Sequence, residues 1–185
     1  MNTFSKSNLV FAFDLDNTLV QTNEANNNSY RDALCAVAGI KLIINNGERF
    51  TRDNLYESQY INLTPSQRAE VSDCKDRIFT RYLHTTVLNE NLVHLLKALH
   101  DNGNETLLLT DSRKSRANQI CKFYGLEKCF SKRYYREDYS QNKYQHLLQQ
   151  GIDMNHVVLF ENEVESQNNA IQNGICRNNI IKVDF

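Results

Sequence analysis

No stretch of this chain approaches the roughly 20 consecutive apolar residues needed to cross a bilayer. The first residues, Met-Asn-Thr-Phe-Ser-Lys-Ser, lack the apolar segment of a signal peptide. Charge of one sign is also missing. A net charge of -1 gives no overall pull toward nucleic acid or an anionic membrane. The five cysteines form no CxxC pair, and the five histidines show no HExxH or other metal-ligand spacing. Reduced thiols filling apolar space are expected, rather than disulfides or zinc. Proline occurs once, at Pro65, and no internal repeat is visible. These absences leave a soluble, cytoplasmic protein as the expectation. A hydrophobic content of 41% over 185 residues suffices for one core, with room for a modest insert.

What is present begins at Leu9–Phe13, an apolar and aromatic run that stops at Asp14. A second carboxylate follows at Asp16, then Thr18. Desolvating a carboxylate is unfavourable unless it is paired or bound to a cation, so two acids at a strand end suggest a metal, carboxylate chemistry or both. A calcium loop does not fit. Its sixth position would be Leu19 rather than glycine, and its twelfth Ala25 rather than glutamate. Further strands are expected at Thr106–Leu109, Arg133–Tyr135, Val157–Phe160 and Ile180–Val183. Helices are expected between them. One is capped by Asn89 with Leu92, Leu95, Leu96 and Leu99 on one face. Others run over Ser115–Tyr124, Lys143–Gln150 and Ser166–Asn173, each followed by glycine. This alternation predicts an α/β, Rossmann-like doubly wound parallel sheet, with ligands beyond the carboxyl ends of its strands.

Residues 21–86 break the rhythm and read as a small helical insert after the first strand, so that 1–20 and 87–185 form the α/β core. Asn23–Ser29 reads as a polar linker or hinge. Ser29 opens a helix with Tyr30, Ala33, Leu34 and Val37 on one face. Thr64-Pro65-Ser66-Gln67 has the shape of a capping box with proline at the first helical position.

Four pieces would meet at one sheet edge: Asp14 and Asp16; Thr110, Asp111 and Ser112 after a strand; Lys143 at a helix start; and Glu161, Asn162 and Glu163 after another strand. Together they offer carboxylates, a hydroxyl and an ammonium, the groups that phosphoryl transfer through an aspartyl phosphate needs. Their order and spacing resemble the haloacid dehalogenase-like (HAD) superfamily, phosphatase branch, over nearly the whole chain. The segment Asn169-Ala170-Ile171-Gln172-Asn173-Gly174-Ile175 resembles the helix that follows the fourth motif. The insert sits where relatives carry a helical cap.

The resemblance implies Asp14 as nucleophile and Asp16 as proton donor and then base. It implies Thr110 as a phosphate ligand with backbone N–H groups near Asp111 and Ser112, and Lys143 neutralising phosphoryl charge. It implies Mg²⁺ at Asp14, the Asp16 carbonyl, Glu161 and Asn162. The substrate would be a small phosphorylated metabolite under a closing cap. A phosphomutase on the same core, or a non-catalytic phospholigand-binding or regulatory protein, are the alternatives. Two departures stand out. Asn162 occupies a position where the family usually has aspartate, so Glu161 or Glu163 could carry more of the metal. Lys143 lacks the proline that often follows the motif lysine, and Lys132 is its rival. The basic cluster Arg113, Lys114 and Arg116 reads as a solvated helix face, and Tyr134, Tyr135 and Tyr139 as core or rim packing.

Overall fold

A computed structural model of the protein describes residues 9–45, 47–57 and 61–185. The segment Met-Asn-Thr-Phe-Ser-Lys-Ser lies outside them. In chain order the elements are β1 (Val10–Phe13), β2 (Val20–Gln21), α1 (Asn23–Ala38), α2 (Arg52–Glu57), α3 (Pro65–Ile78), β3 (Val87–Leu88), α4 (Glu90–Asp101), β4 (Glu105–Leu109), α5 (Lys114–Phe123), β5 (Lys132–Tyr134), α6 (Lys143–Gln149), β6 (Val157–Glu161), α7 (Val164–Gln172) and β7 (Ile180–Lys182). No described helix is long and apolar enough to cross a membrane.

The chain forms two compact units: Thr22–Val87, and the residues up to Gln21 together with Leu88–Phe185. In the larger unit five parallel strands run in the order β5-β4-β1-β6-β7. From β1 the chain winds outward through β4 and β5, then crosses back to β6 and β7. Crossovers between parallel strands are right-handed as a rule, so reversing their direction at β1 puts helices on both faces, the doubly wound arrangement. Side chains alternate across a strand. Val10 and Ala12, Leu107 and Leu109, and Val157 and Leu159 therefore share one face, packed with Tyr144 and Leu147 of α6 and Ala170 of α7. On the other face the rings of Phe13 and Phe160 stack with centroids 4.5 Å apart. Burial on both faces explains why these strands read as unbroken apolar runs. The reversal of winding falls at β1, which puts Asp14 at the switch point.

The smaller unit buries Tyr30, Ala33 and Leu34 of α1 against Phe50, Leu55, Ile61, Leu63 and Val71. At α3 the capping box is complete: Thr64 accepts from the Gln67 amide, and Gln67 Oε1 accepts from the Thr64 amide at 3.0 Å. The expected linker over Asn23–Ser29 is instead the first two turns of α1. Asparagine is a poor helix former because its amide competes for backbone groups. Here the amides have other partners. Asn26 donates to the Phe50 carbonyl at 2.6 Å, while Asn27 donates to the Glu48 carbonyl at 2.8 Å and accepts from the Phe50 amide at 2.9 Å. A polar run that looked structureless is helical because tertiary contacts occupy its side chains.

Candidate active site

The turn after β1 is built to bring side chains back toward Asp14. Asn17 sits in the left-handed region at φ 59°, a conformation asparagine tolerates better than most residues. The Leu15 carbonyl accepts from the amides of Leu19 and Val20, each at 3.0 Å. This tight turn buries Thr18 and sets its hydroxyl 3.2 Å from Asp14 Oδ2. Asn89 secures the same turn from α4: its amide N–H donates to the Leu19 carbonyl at 2.9 Å, while its side chain caps the helix.

Lys143 is the first residue of α6, capped by Asn142, whose side chain accepts from the amides of Tyr144 and Gln145. A cation is disfavoured at a helix N-terminus. It is held there by carboxylates: Lys143 Nζ lies 3.0 Å from Asp14 Oδ1, 2.8 Å from Glu161 Oε2 and 3.5 Å from Asp111 Oδ2. Lys143 and Glu161 are 3% and 1% exposed and Asp14 is buried, so the pairs with Asp14 and Glu161 have little solvent screening, whereas Asp111 is exposed. Glu161 also accepts from Tyr144 Oη, Ser166 Oγ and the Glu163 amide. Burial pushes the Glu161 carboxyl up, but the Lys143 ammonium, the Glu163 amide and the Ser166 hydroxyl outweigh it and hold the group below its usual range. Asp14 goes the other way. Burial raises its proton affinity well above the ordinary carboxylate range; Lys143 offsets part of this, and the charges on Glu161 and Asp16 add to it. One ammonium shared by two buried carboxylates leaves the cluster short of positive charge, and Asp14 carries the deficit. Lys143 itself is favoured as the cation: burial opposes its charge, but Asp14, Tyr144, Glu161 and Asp111 more than compensate.

The Asp16 carboxylate is held elsewhere. Ser112 Oγ donates to Oδ2 and the Arg116 guanidinium to Oδ1. Arg116 is buried, which corrects the reading of Arg113, Lys114 and Arg116 as one solvated face. The helical pattern contained the signal, since Arg116 lies on the face of α5 that buries Ala117, Ile120 and Cys121. Thr110 is buried at the end of β4, and its Oγ1 accepts from the Ser112 amide at 3.1 Å. That N–H, expected to face phosphate, is committed within the loop. Tyr139 braces the loop through Oη, 2.9 Å from the Thr110 carbonyl and 2.6 Å from Asp111 Oδ1. Tyr139 and Tyr144 lay outside the expected site because their spacing looks like that of core aromatics. Lys132, the rival lysine, opens β5 at the opposite end of the sheet and pairs with Glu105 at 3.2 Å. Glu163 is exposed beside the site.

The edge therefore gathers Asp14, Asp16, Thr110, Ser112, Lys143, Glu161 and Asn162 on the loops after β1, β4 and β6 and the start of α6. A family model for haloacid dehalogenase-like hydrolases matches residues 11–177. The chain belongs to the haloacid dehalogenase-like hydrolases. No curated protein matches the chain. Solved structures share the fold. Rhodobacter sphaeroides CbbY, in complex with phosphate, superposes with a TM-score of 0.78 at 15% identity, covering 95% of this chain and 86% of that one. A predicted phosphoglycolate phosphatase from Haemophilus somnus gives 0.76 at 17% identity, with 96% and 86% covered. A Thermotoga maritima protein assigned as a beta-phosphoglucomutase gives 0.64 at 18% identity, with 96% and 86% covered. For this HAD-family chain, the parallel sheet and its flanking helices are thus those of an enzyme family.

Proposed function

We propose that this HAD hydrolase is a Mg²⁺-dependent phosphatase that acts through an aspartyl phosphate on a small phosphorylated metabolite. The observation that carries the reading is the buried Asp14 carboxylate, held 3.0 Å from the Lys143 ammonium at the carboxyl edge of the sheet. Two of the structural neighbours, one solved in complex with phosphate and one a predicted phosphoglycolate phosphatase, support the same class of substrate.

In this reading an Asp14 oxygen attacks phosphorus. The Asp14–phosphorus bond forms as the bond to the leaving oxygen breaks, and Asp16 gives that oxygen a proton. Water then attacks phosphorus with Asp16 accepting its proton. The acyl phosphate breaks to inorganic phosphate and free Asp14. Lys143 keeps Asp14 oriented and offsets phosphoryl charge. The Thr110 hydroxyl binds a phosphoryl oxygen, and Asp111 and Tyr139 hold its loop in place. Asp16 must leave Ser112 and Arg116 to reach the leaving oxygen. The helical unit Thr22–Val87 would be the cap that excludes water and selects the substrate.

The donors fit Mg²⁺. Asp14 Oδ2, the Asp16 carbonyl, Glu161 Oε1 and the Asn162 amide oxygen are all hard oxygens. Among the described residues no three or more His, Cys, Asp or Glu groups form a ready cation cage. Mg²⁺ suits such a set because it keeps waters and relies on one or two carboxylates plus substrate phosphate. When bound it would lower the repulsion between carboxylate and phosphate. The second reading, a phospholigand-binding protein without turnover, draws on Asn162 standing where relatives carry an acid. Turnover of an aryl phosphate with and without Mg²⁺, beside Asp14→Asn, separates the two. Metal-dependent turnover lost in the variant is the expected result; a folded protein inert toward a broad phosphometabolite panel refutes the phosphatase.

A further inference from the structure

Asn162 follows β6, half-buried between β1's turn and Glu161. One orientation of its amide suits these neighbours better than the other. With Nδ2 turned inward the nitrogen lies 3.0 Å from Thr18 Oγ1 and 3.2 Å from both the Asp16 carbonyl and Glu161 Oε1, three acceptors for its two hydrogens. Turned round, the amide oxygen accepts from Thr18 Oγ1 at 3.0 Å but also faces the Asp16 and Glu161 oxygens, which accept only. With Nδ2 inward, the Thr18 hydroxyl can accept from Asn162 while donating to Asp14 Oδ2. Two of the oxygens that converge on this nitrogen, the Asp16 carbonyl and Glu161 Oε1, are the ones the phosphatase reading gives to Mg²⁺.

We infer that Asn162 is an amide latch on the cation site, its NH₂ group holding the Asp16 carbonyl and Glu161 in place of a metal ion. The inference rests on the phosphatase reading for the identity of the cation. The hydrogens of the amide NH₂ group carry partial positive charge, so they suit the same oxygens as a cation and are repelled by one. Cation entry must displace the NH₂ group. Rotating the amide to offer its oxygen then sets that oxygen against the Glu161 carboxylate, so the exchange gains less than a free ligand would give. Two states follow: a latched site without metal, and an opened site in which substrate phosphate helps the cation displace the amide.

The latch and an ordinary ligand predict opposite outcomes for truncation. If Asn162 is simply a ligand, Asn162→Ala weakens cation binding. If it is a latch, Asn162→Ala tightens it by about threefold or more, the equivalent of one net hydrogen bond released. Asn162→Asp, which cannot donate and adds a charge, tightens it about tenfold or more. The measurement is calorimetric titration of the full chain with Mg²⁺ alone, with folding checked by circular dichroism. Affinity of Asn162→Ala equal to or below wild type overturns the latch, as does failure of both chains to bind. Should Asn162→Ala not fold, Asn162→Asp decides: unchanged or weaker binding refutes the latch. Turnover is read separately. Tightened binding without turnover removes only the phosphatase reading; turnover without tightening removes only the latch.

Discussion

Replacing Lys143 by methionine should expose how the cluster is balanced. The side chain keeps its length and packing, so the main loss is charge. Removing one partner of a buried ion pair typically costs about 3–5 kcal/mol. Glu161 lies at the mild end because it retains donors from Tyr144, Ser166 and the Glu163 amide. Asp14 keeps the Thr18 hydroxyl at 3.2 Å. A loss of about 3 kcal/mol is therefore expected at neutral pH, or roughly 6–12 °C in Tm for a chain of this size. Its pH dependence is the sharper test. Asp14 already holds its proton to higher pH than usual because of burial, and without the ammonium it does so further. The folded variant then binds more protons than its unfolded chain, so its stability falls as pH rises. Compared with wild type, the deficit should shrink steadily as pH is lowered from about 8 to about 5. Urea unfolding across that range is the assay. A deficit that does not change with pH would assign the loss to packing. A loss below about 1 kcal/mol would show that Lys143 does not compensate the buried acids.

Asp14→Asn should lose turnover yet unfold at a higher temperature than wild type at neutral pH. A carboxylate whose folded pKa is raised above its unfolded value of 3.8 destabilises the fold above that range. The gap should close as pH falls toward the unfolded value, and a less stable variant at neutral pH would contradict the sign. Tyr139→Phe should cost about 1–2 kcal/mol, because the Thr110 carbonyl and Asp111 lose a donor. It should also raise the KM for any phosphate ester that turns over; an unchanged KM would detach Tyr139 from the loop's function. Among the thiols, Cys35 and Cys176 are exposed and should react quickly with a disulfide reagent. Cys121, buried and pushed up to about 12, should react only on unfolding, and fast labelling there would refute its burial.

The fold was legible in the chain because a doubly wound sheet imposes strong local signals. Leu107-Leu108-Leu109 and Val157-Val158-Leu159-Phe160 read as strands because both faces are buried. Glycines at 125, 151 and 174 mark helix ends because each adopts positive φ. Asp14 and Glu161 stood out because acids that end apolar strand runs are rare without a partner, and Lys143 because it opens a helix in the order the family resemblance implies. Asn23–Ser29 misled the reading because its helix depends on Phe50 and Glu48, more than 20 residues away.

The sequence by itself determined which chemical groups reach the sheet edge, since strand ends and helix starts are local properties. Only the tertiary structure decided how those groups share charge. Local pattern favoured Lys143 but left Lys132 as a rival, and it could not show Arg116 turned inward onto Asp16. Nor could it show the Asn162 amide set 3.2 Å from the Asp16 carbonyl. Each depends on the packing of β1, β4 and β6 side by side, where partners 18 to 146 residues apart come within a few ångströms and burial magnifies every charge between them.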